Sequence, residues 1–306
     1  MQRHSRFRVV VAAVLIASGL IELVAFARQI YSVVPEADWR VAREKLASIK
    51  KPGDMVVLAP HWTDPIGRLY FDDSLLPLSV TARADDSRFV RAIEVSTRGQ
   101  HLESLQNWPI ESEERAGDVS LFVRRNPSYW PVLEDLLGKV ATRSARVSLK
   151  RGGEATPCEW SSNPTLAGEL GFGPAIPGTR AMCGSAFVGL TILAATDFLP
   201  RRCIFAPTPP PNVALAISFP AVHFGRSLVV HHGLHWEAEH AGTGAPVQIR
   251  WLVNGRPIGG QIHKDNDGWS QFAIDTRSLE GQTGELEAEI TCATPGRQYC
   301  FEATTR

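Results

Sequence analysis

The chain has 306 residues, 44% of them hydrophobic, with 32 basic and 32 acidic side chains. Zero formal charge excludes a global field that would draw nucleic acid or an anionic surface. The length exceeds the needs of one small domain and points to two once an N-terminal segment is set aside.

That segment comes first. An apolar run from Val9 to Ala27 follows Arg3, Arg6 and Arg8 and is closed by Arg28. It is close to the roughly 20 residues a helix needs to cross a hydrocarbon core, and its single charge, Glu22, lies near the outer end. Basic residues at the amino end predict a cytoplasmic N-terminus and an extracytoplasmic remainder. Residues 1–29 therefore read as a signal anchor. Ala25-Phe26-Ala27 also fits a small-x-small cleavage site, in which case the rest is secreted.

From Asp38, the recurrence of Trp39, Val41 or Ala42, Leu46 and Ile49 predicts an amphipathic helix. Pro52-Gly53-Asp54 stops it, and Met55 to Ala59 reads as a short buried strand. Arg91 to Ser96 and Val119 to Arg124 are further strands, the latter turning Val119, Leu121 and Val123 inward. Residues 30–126 are thus expected to form a small layered α/β domain. A helical stretch from Tyr129 to Leu137 predicts a linker helix within 127–140.

From about Ala141 the texture changes to short β-branched runs broken by Gly, Pro, Asn and Asp. Strands are expected at Ala145 to Leu149, Val213 to Phe219, Ser227 to His232, Val247 to Val253, Ser270 to Ile274, Leu286 to Cys292 and Gln298 to Ala303. This pattern over 141–306 predicts an all-β, jelly-roll-like sandwich. Asn254-Gly255 marks a hairpin turn because both residues tolerate positive φ. Asp265 to Gly268 and Thr294-Pro295-Gly296 mark two more turns, and the proline tract Ala206 to Pro211 a stiff loop.

Two resemblances rest on these residues. Asp38-Trp39-Arg40, Pro52-Gly53-Asp54 and the Val-Val-Leu-Ala-Pro strand make residues 38–125 resemble the extracytoplasmic unit of dolichyl-phosphate-mannose–protein mannosyltransferase-type membrane glycosyltransferases. The resemblance implies a fold and a cell-envelope address. It carries over no catalytic residue, because that family's chemistry uses an acid in the first external loop of a many-helix bundle. Asp72-Asp73 and Asp85-Asp86 read as turn or surface acids. Residues 141–306 are similar to galactose-binding-like jelly rolls, through Gly268-Trp269 with Phe272, Asp275-Thr276 and the closing Gln298 to Ala303. That implies glycan binding or a spacer role.

Candidate chemistry is sparse. His231 to His240 holds four imidazoles and two carboxylates, and His232, His235, Glu237 and His240 are the candidate ligands for zinc, copper or nickel. Helical H-E-x-x-H spacing is absent, and on a strand His231 and His232 face opposite ways. A structural calcium at Asp265 and Asp267 is the other candidate metal, though the loop fails the EF-hand pattern. Trp236 and Trp269 are candidate glycan platforms, while Trp251 alternates with Val253 and reads as core. No G-x-S-x-G, Walker or dinucleotide motif occurs, so no catalytic residue and no cofactor are expected.

All five cysteines lie in the second half, which reads as disulfides in an oxidising compartment. Cys292 and Cys300 flank the Thr294-Pro295-Gly296 turn and could meet across a hairpin. Cys158 and Cys183 bracket the Gly- and Pro-rich loop 163–178. Cys203 would be odd, although Cys183–Cys203 and Cys158–Cys203 are equally legal. The expected protein is a membrane-anchored, non-enzymatic envelope protein that binds a glycan or protein partner and no nucleic acid. An enzyme or accessory subunit of envelope glycosyl transfer, and a metal-binding envelope protein, are the alternatives.

Overall fold

The computed structural model describes residues 14–26, 33–161, 180–184 and 186–306. Residues 14–26 form helix α1, whose large apolar side chains are 55–69% exposed. No described helix is long and apolar enough to cross a membrane, and the remainder of the expected span from Val9 to Ala27 lies outside the described residues. The whole loop 163–178 lies outside them as well.

The chain divides into two compact units, one of Met1–Lys51, Val57–Leu75 and Ile93–Arg124, the other of Pro52–Val56, Leu76–Ala92 and Arg125–Arg306. The first is built on a four-stranded sheet of β1 (Met55–Ala59), β2 (Arg91–Thr97), β3 (Ile110–Ala116) and β4 (Val119–Arg125), in order β1–β2–β4–β3. Helices α2 (Glu36–Ile49) and α3 (Asp64–Leu75) accompany it. In α2 the 3.6-residue period buries Trp39, Ala42 and Leu46, and Trp39 stacks on Tyr70 of α3. Val41, an alternative to Ala42 in the sequence pattern, faces out. Strand β3 was invisible in the sequence because Ile110 to Arg115 is almost wholly exposed and charged, leaving no apolar alternation to read.

The second unit holds the short helix α4 (Leu78–Thr81), β5 (Glu134–Asp135), α5 (Leu136–Ala141), β6 (Arg146–Arg151), β7 (Glu154–Pro157), β8 (Glu159–Trp160) and β9 (Arg180–Cys183). There follow β10 (Ala186–Ala194), β11 (Pro200–Phe205), β12 (Ala214–His223), β13 (Ser227–Leu234), α6 (Trp236–Ala241) and β14 (Val247–Val253). β15 (Arg256–His263), β16 (Ser270–Asp275), β17 (Thr283–Cys292) and β18 (Tyr299–Thr305) complete it. One sheet runs β16–β13–β18–β11–β10–β9–β8, with β5 added on β18, and the other β15–β14–β17–β12–β6–β7. Inward residues of both, among them Leu228, Val230 and Phe301 of the first and Phe219, Trp251 and Ile290 of the second, form one core. This is a jelly-roll-like sandwich. The Asn254-Gly255 turn joins β14 to β15 with φ of 49° and 77°, the left-handed pair a tight hairpin needs.

Two expectations need correction. Residues 76–92 cluster with the sandwich rather than with the α/β unit. β11 pairs with β18 only at Ile204 and Phe205, and the Arg202 amide instead donates to the Ala82 carbonyl at 2.6 Å. The linker helix shrinks to α5, since Pro131 disfavours helix at Trp130 and the Asp135 carboxylate caps Leu137 N at 2.9 Å. Leu136, Leu137 and Val140 then enter the sandwich core.

The cysteines form Cys158–Cys183 and Cys203–Cys300, leaving Cys292 free and buried. The expected Cys292–Cys300 bridge is not made. The turn after β17 leads across the sandwich, so Cys292 belongs to one sheet and Cys300 to the other. On β18, Cys300 points away from the core while Phe301 points in, which presents its sulfur to Cys203 on neighbouring β11.

Candidate functional site

Period-2 alternation along β13 and β18 decides the fate of the histidine stretch. Leu228, Val230, His232 and Leu234 face the sandwich interior, while His231 takes the other face beside its cross-strand partner Glu302. His231 Nε2 lies 3.0 Å from Asp85 and Nδ1 lies 3.5 Å from Glu302. Arg88 donates to Glu302 at 2.7 Å and to Asp135 at 2.8 Å, and Arg306 donates to Asp85 at 3.0 Å. Burial opposes the imidazolium, but hydrogen bonds and charge from Asp85 and Glu302 outweigh it and raise His231 to about 9. Asp85, despite its own desolvation, is held well below the usual carboxylate range by His231 and Arg306. The sequence reading of Asp85 as a turn or surface acid is therefore corrected. It is a half-buried member of an ionic cluster.

On the inner face, the Tyr299 hydroxyl and His232 Nδ1 are 2.8 Å apart, and the His263 ring packs edge-on against His232. Desolvation, reinforced by repulsion from His263, lowers His232 to about 3. Its ring stays neutral, so the phenolic O–H donates to Nδ1. Glu239 of α6 is fully buried and accepts from His263 Nε2 at 2.8 Å, Gly268 N at 3.1 Å and Leu234 N at 3.3 Å. One carboxylate thus ties α6, the end of β13 and the loop between β15 and β16 together. Glu239→Ala is expected to cost about 3–5 kcal/mol, because it strands a buried imidazole and two amides. Urea denaturation measures this directly, and a loss below 1 kcal/mol would contradict it.

The proposed metal ligands do not converge. His232 points into the core, His235 is buried, and Glu237 and His240 lie exposed on α6. Among the described residues no group of three His, Cys, Asp or Glu is placed to hold a metal ion. Asp265 is likewise engaged, paired with the Arg297 guanidinium. The two His–carboxylate pairs resemble acid–base dyads in composition, but His231 and His263 are 3% and 1% exposed and closed to a substrate.

What remains open is one end of the sandwich, where the β10–β11, β13–α6 and β15–β16 loops meet. Phe198, in the β10–β11 loop, is 68% exposed with φ of 57°. The Asp197 carboxylate accepts from Leu199 N at 3.0 Å and from Arg201 at 2.7 Å, which fixes that turn. The Phe198 ring lies 5.6 Å from Trp236, tilted by 50°. Trp236 in turn contacts the His235 ring, and exposed Glu237 follows it. Thr196 of the first loop approaches Gly268 of the third so closely that a Cβ there would sit 3.0 Å from its hydroxyl.

Trp269, the other candidate platform, is turned inward. Its indole N–H donates to the Ala84 carbonyl at 3.1 Å, its ring packs on Gly233, and the Arg201 guanidinium lies 5.8 Å from the ring. Trp251 is fully buried against Phe219 and Phe301. Phe198 escaped the sequence reading. The signal available was a large apolar residue inside a Thr-Asp-Phe-Leu-Pro turn, a place where apolar side chains are not needed for packing.

No protein-family model and no curated protein matches the chain. The likeness of residues 38–125 to a glycosyltransferase unit therefore has no match behind it. Among solved structures, the CBM51-2 and INT domains of Clostridium perfringens ZmpB in complex with GlcNAc share 10% identity over 40% of this chain and 29% of theirs, with a TM-score of 0.28. CBM51 from a Clostridium perfringens glycoside hydrolase (GH95), in complex with methyl-galactose, shares 10% identity over 38% of this chain and 81% of its own, also with a TM-score of 0.28. A family 43 arabinoxylan arabinofuranohydrolase from Bacillus subtilis shares 11% over 71% of this chain and 41% of its own, again at 0.28. Likenesses at this level carry no functional weight. The chemistry of the loop end does.

Proposed function

We propose that the protein is a non-enzymatic, extracytoplasmic glycan-binding protein whose sandwich engages a saccharide at the Phe198–Trp236 loop end. The observation that carries this reading is the pairing of exposed Phe198 with half-buried Trp236. A 68% exposed phenylalanine held in a left-handed turn loses apolar burial and adds nothing to the core. Such a ring gains by stacking, since its negative face meets the C–H face of a pyranose and desolvates it. Asp197 and Glu237, adjacent in sequence to the two rings, supply carboxylate acceptors for sugar hydroxyls. Two disulfides support an oxidising compartment. The Arg-flanked apolar run from Val9 to Ala27 supports a tether at the membrane.

Glycan-array screening of the full-length protein tests the reading, followed by titration of the best binder. Trp236→Ala and Phe198→Ala are each expected to weaken binding about 10- to 30-fold, the effect of losing roughly 1.4–2 kcal/mol at an interface centre. An array without a binder, or binding indifferent to both substitutions, would overturn it.

A further inference from the structure

Helix α3 and the short turn His61–Thr63 that runs into it carry apolar residues on two opposite sides. Thr63, Gly67 and Phe71 recur every four residues and are buried. Trp62, Ile66 and Leu69 share the outer side, and they are 64%, 42% and 77% exposed. Residues three and four apart stack on one face of a helix. A lone exposed apolar side chain is ordinary, but these three in a row, with exposed Pro65 beside them, form a patch left in water.

The charges around the patch are matched. Arg68 donates to Asp64 at 2.7 Å, and Arg43 of α2 pairs with Asp72 and donates to the Tyr70 carbonyl at 2.6 Å. Exposed Asp73 follows. The face therefore holds no positive excess that would select an acidic partner.

The chain itself indicates what lies opposite. Trp39, near the start of α2, stacks on Tyr70 with ring centroids 5.8 Å apart, and Leu69 precedes Tyr70 in sequence. The stripe thus sits beside the end of α2 at which the chain enters this unit. Residues 28–35, exposed Val33 among them, separate that end from the apolar run Val9 to Ala27. Fully extended, they span at most about 29 Å. Three side chains on two turns bind a bilayer weakly by themselves, but a tether this short raises their effective concentration against it.

We propose that the Trp62–Ile66–Leu69 face of α3 lies in the extracytoplasmic head-group layer of the membrane that anchors the chain. The inference rests on the membrane tether of the proposed function and does not depend on the Phe198–Trp236 glycan reading. Tryptophan suits this layer because its body is apolar and its indole N–H reaches polar head groups. Recognition is of the apolar lipid interface, not of head-group charge.

Full-length protein bearing Leu69→Cys, labelled with a nitroxide and reconstituted into phosphatidylcholine vesicles, tests the proposal. The one free native thiol, Cys292, is buried, so the label goes to the introduced site. Electron paramagnetic resonance compares access by oxygen, which concentrates in the bilayer, with access by a nickel chelate, which stays in water. A label depth of roughly 5–10 Å is expected at position 69. Ser112→Cys, on exposed β3 at the sheet edge remote from β1, should leave its label in water. Trp62→Gln with Ile66→Gln changes only exposed positions and should return the label at position 69 to water. Adding phosphatidylglycerol should leave the depth unchanged.

Equal chelate access at positions 69 and 112, in vesicles that retain the protein, would overturn this proposal alone. Protein that fails to float with the vesicles would overturn the tether and the proposal with it. Spin–spin broadening with shielding from both reagents would assign the face to a second copy instead. Depth gained only with phosphatidylglycerol would overturn apolar recognition.

Discussion

Between pH 6 and pH 10 the folded chain is expected to lose about 3 kcal/mol of stability through His231 alone. Its folded-state value is raised from 6.5 to about 9, so its contribution is full below pH 6.5 and disappears as the pH climbs through 9. A rise of that size corresponds to about 3 kcal/mol at roughly 1.4 kcal/mol per unit. The cause is geometric: His231 sits between Asp85 and Glu302, and its proton is what lets two acids share the covered face of β13 and β18 with only two arginines. Urea denaturation of wild type and His231→Gln across this range provides the check, with the difference between them shrinking as pH rises. A difference constant from pH 6 to 10 would show that the imidazole carries no charge in the folded state.

The neighbouring residue is expected to do the opposite, and with a larger effect. Burial, with repulsion from His263, lowers His232 from 6.5 to about 3, so neutral His232 stabilises the fold fully above pH 6.5. That share is lost as the pH falls toward 3, and amounts to about 5 kcal/mol, comparable with the whole stability of many domains. His232→Phe should flatten the acid limb of the stability profile. At neutral pH the same variant is expected to be less stable by about 1–3 kcal/mol, because the buried Tyr299 hydroxyl loses its acceptor. An unchanged acid midpoint in His232→Phe would assign acid unfolding to other groups, such as Asp85. Together the two histidines predict a stability maximum near neutrality, set by consecutive residues of one strand.

Much of this architecture was legible in the residues. Alternation and turn chemistry placed β12, β13, β14, β16, β17 and β18, since each has one apolar face against the core and a Gly, Asn or Pro boundary. Strands β9, β10, β11 and β15 were missed for a physical reason. Ala186 to Ala194 reads as a continuous apolar run, because its outward Leu193 packs with Phe205 and the Cys203–Cys300 bridge instead of meeting water. β15, with Pro257, Gly259 and Gly260 and mostly exposed residues, carries no apolar period at all. The site was half legible. Trp236 could be named from its residue type, but its partner Phe198 lies 38 positions earlier, on a loop that meets it only after the sandwich closes.

By itself the sequence determined the class of each half, the single apolar N-terminal run and the opposed faces of His231 and His232, because these follow from periodicity and local composition. Tertiary structure alone decided which acid meets which histidine, that Cys300 bonds Cys203 and leaves Cys292 free, that the Trp269 indole is tied to Ala84, and that Phe198 meets Trp236. Each of those outcomes joins residues far apart in the chain. Their proximity depends on which strands become neighbours, and no local pattern encodes that choice.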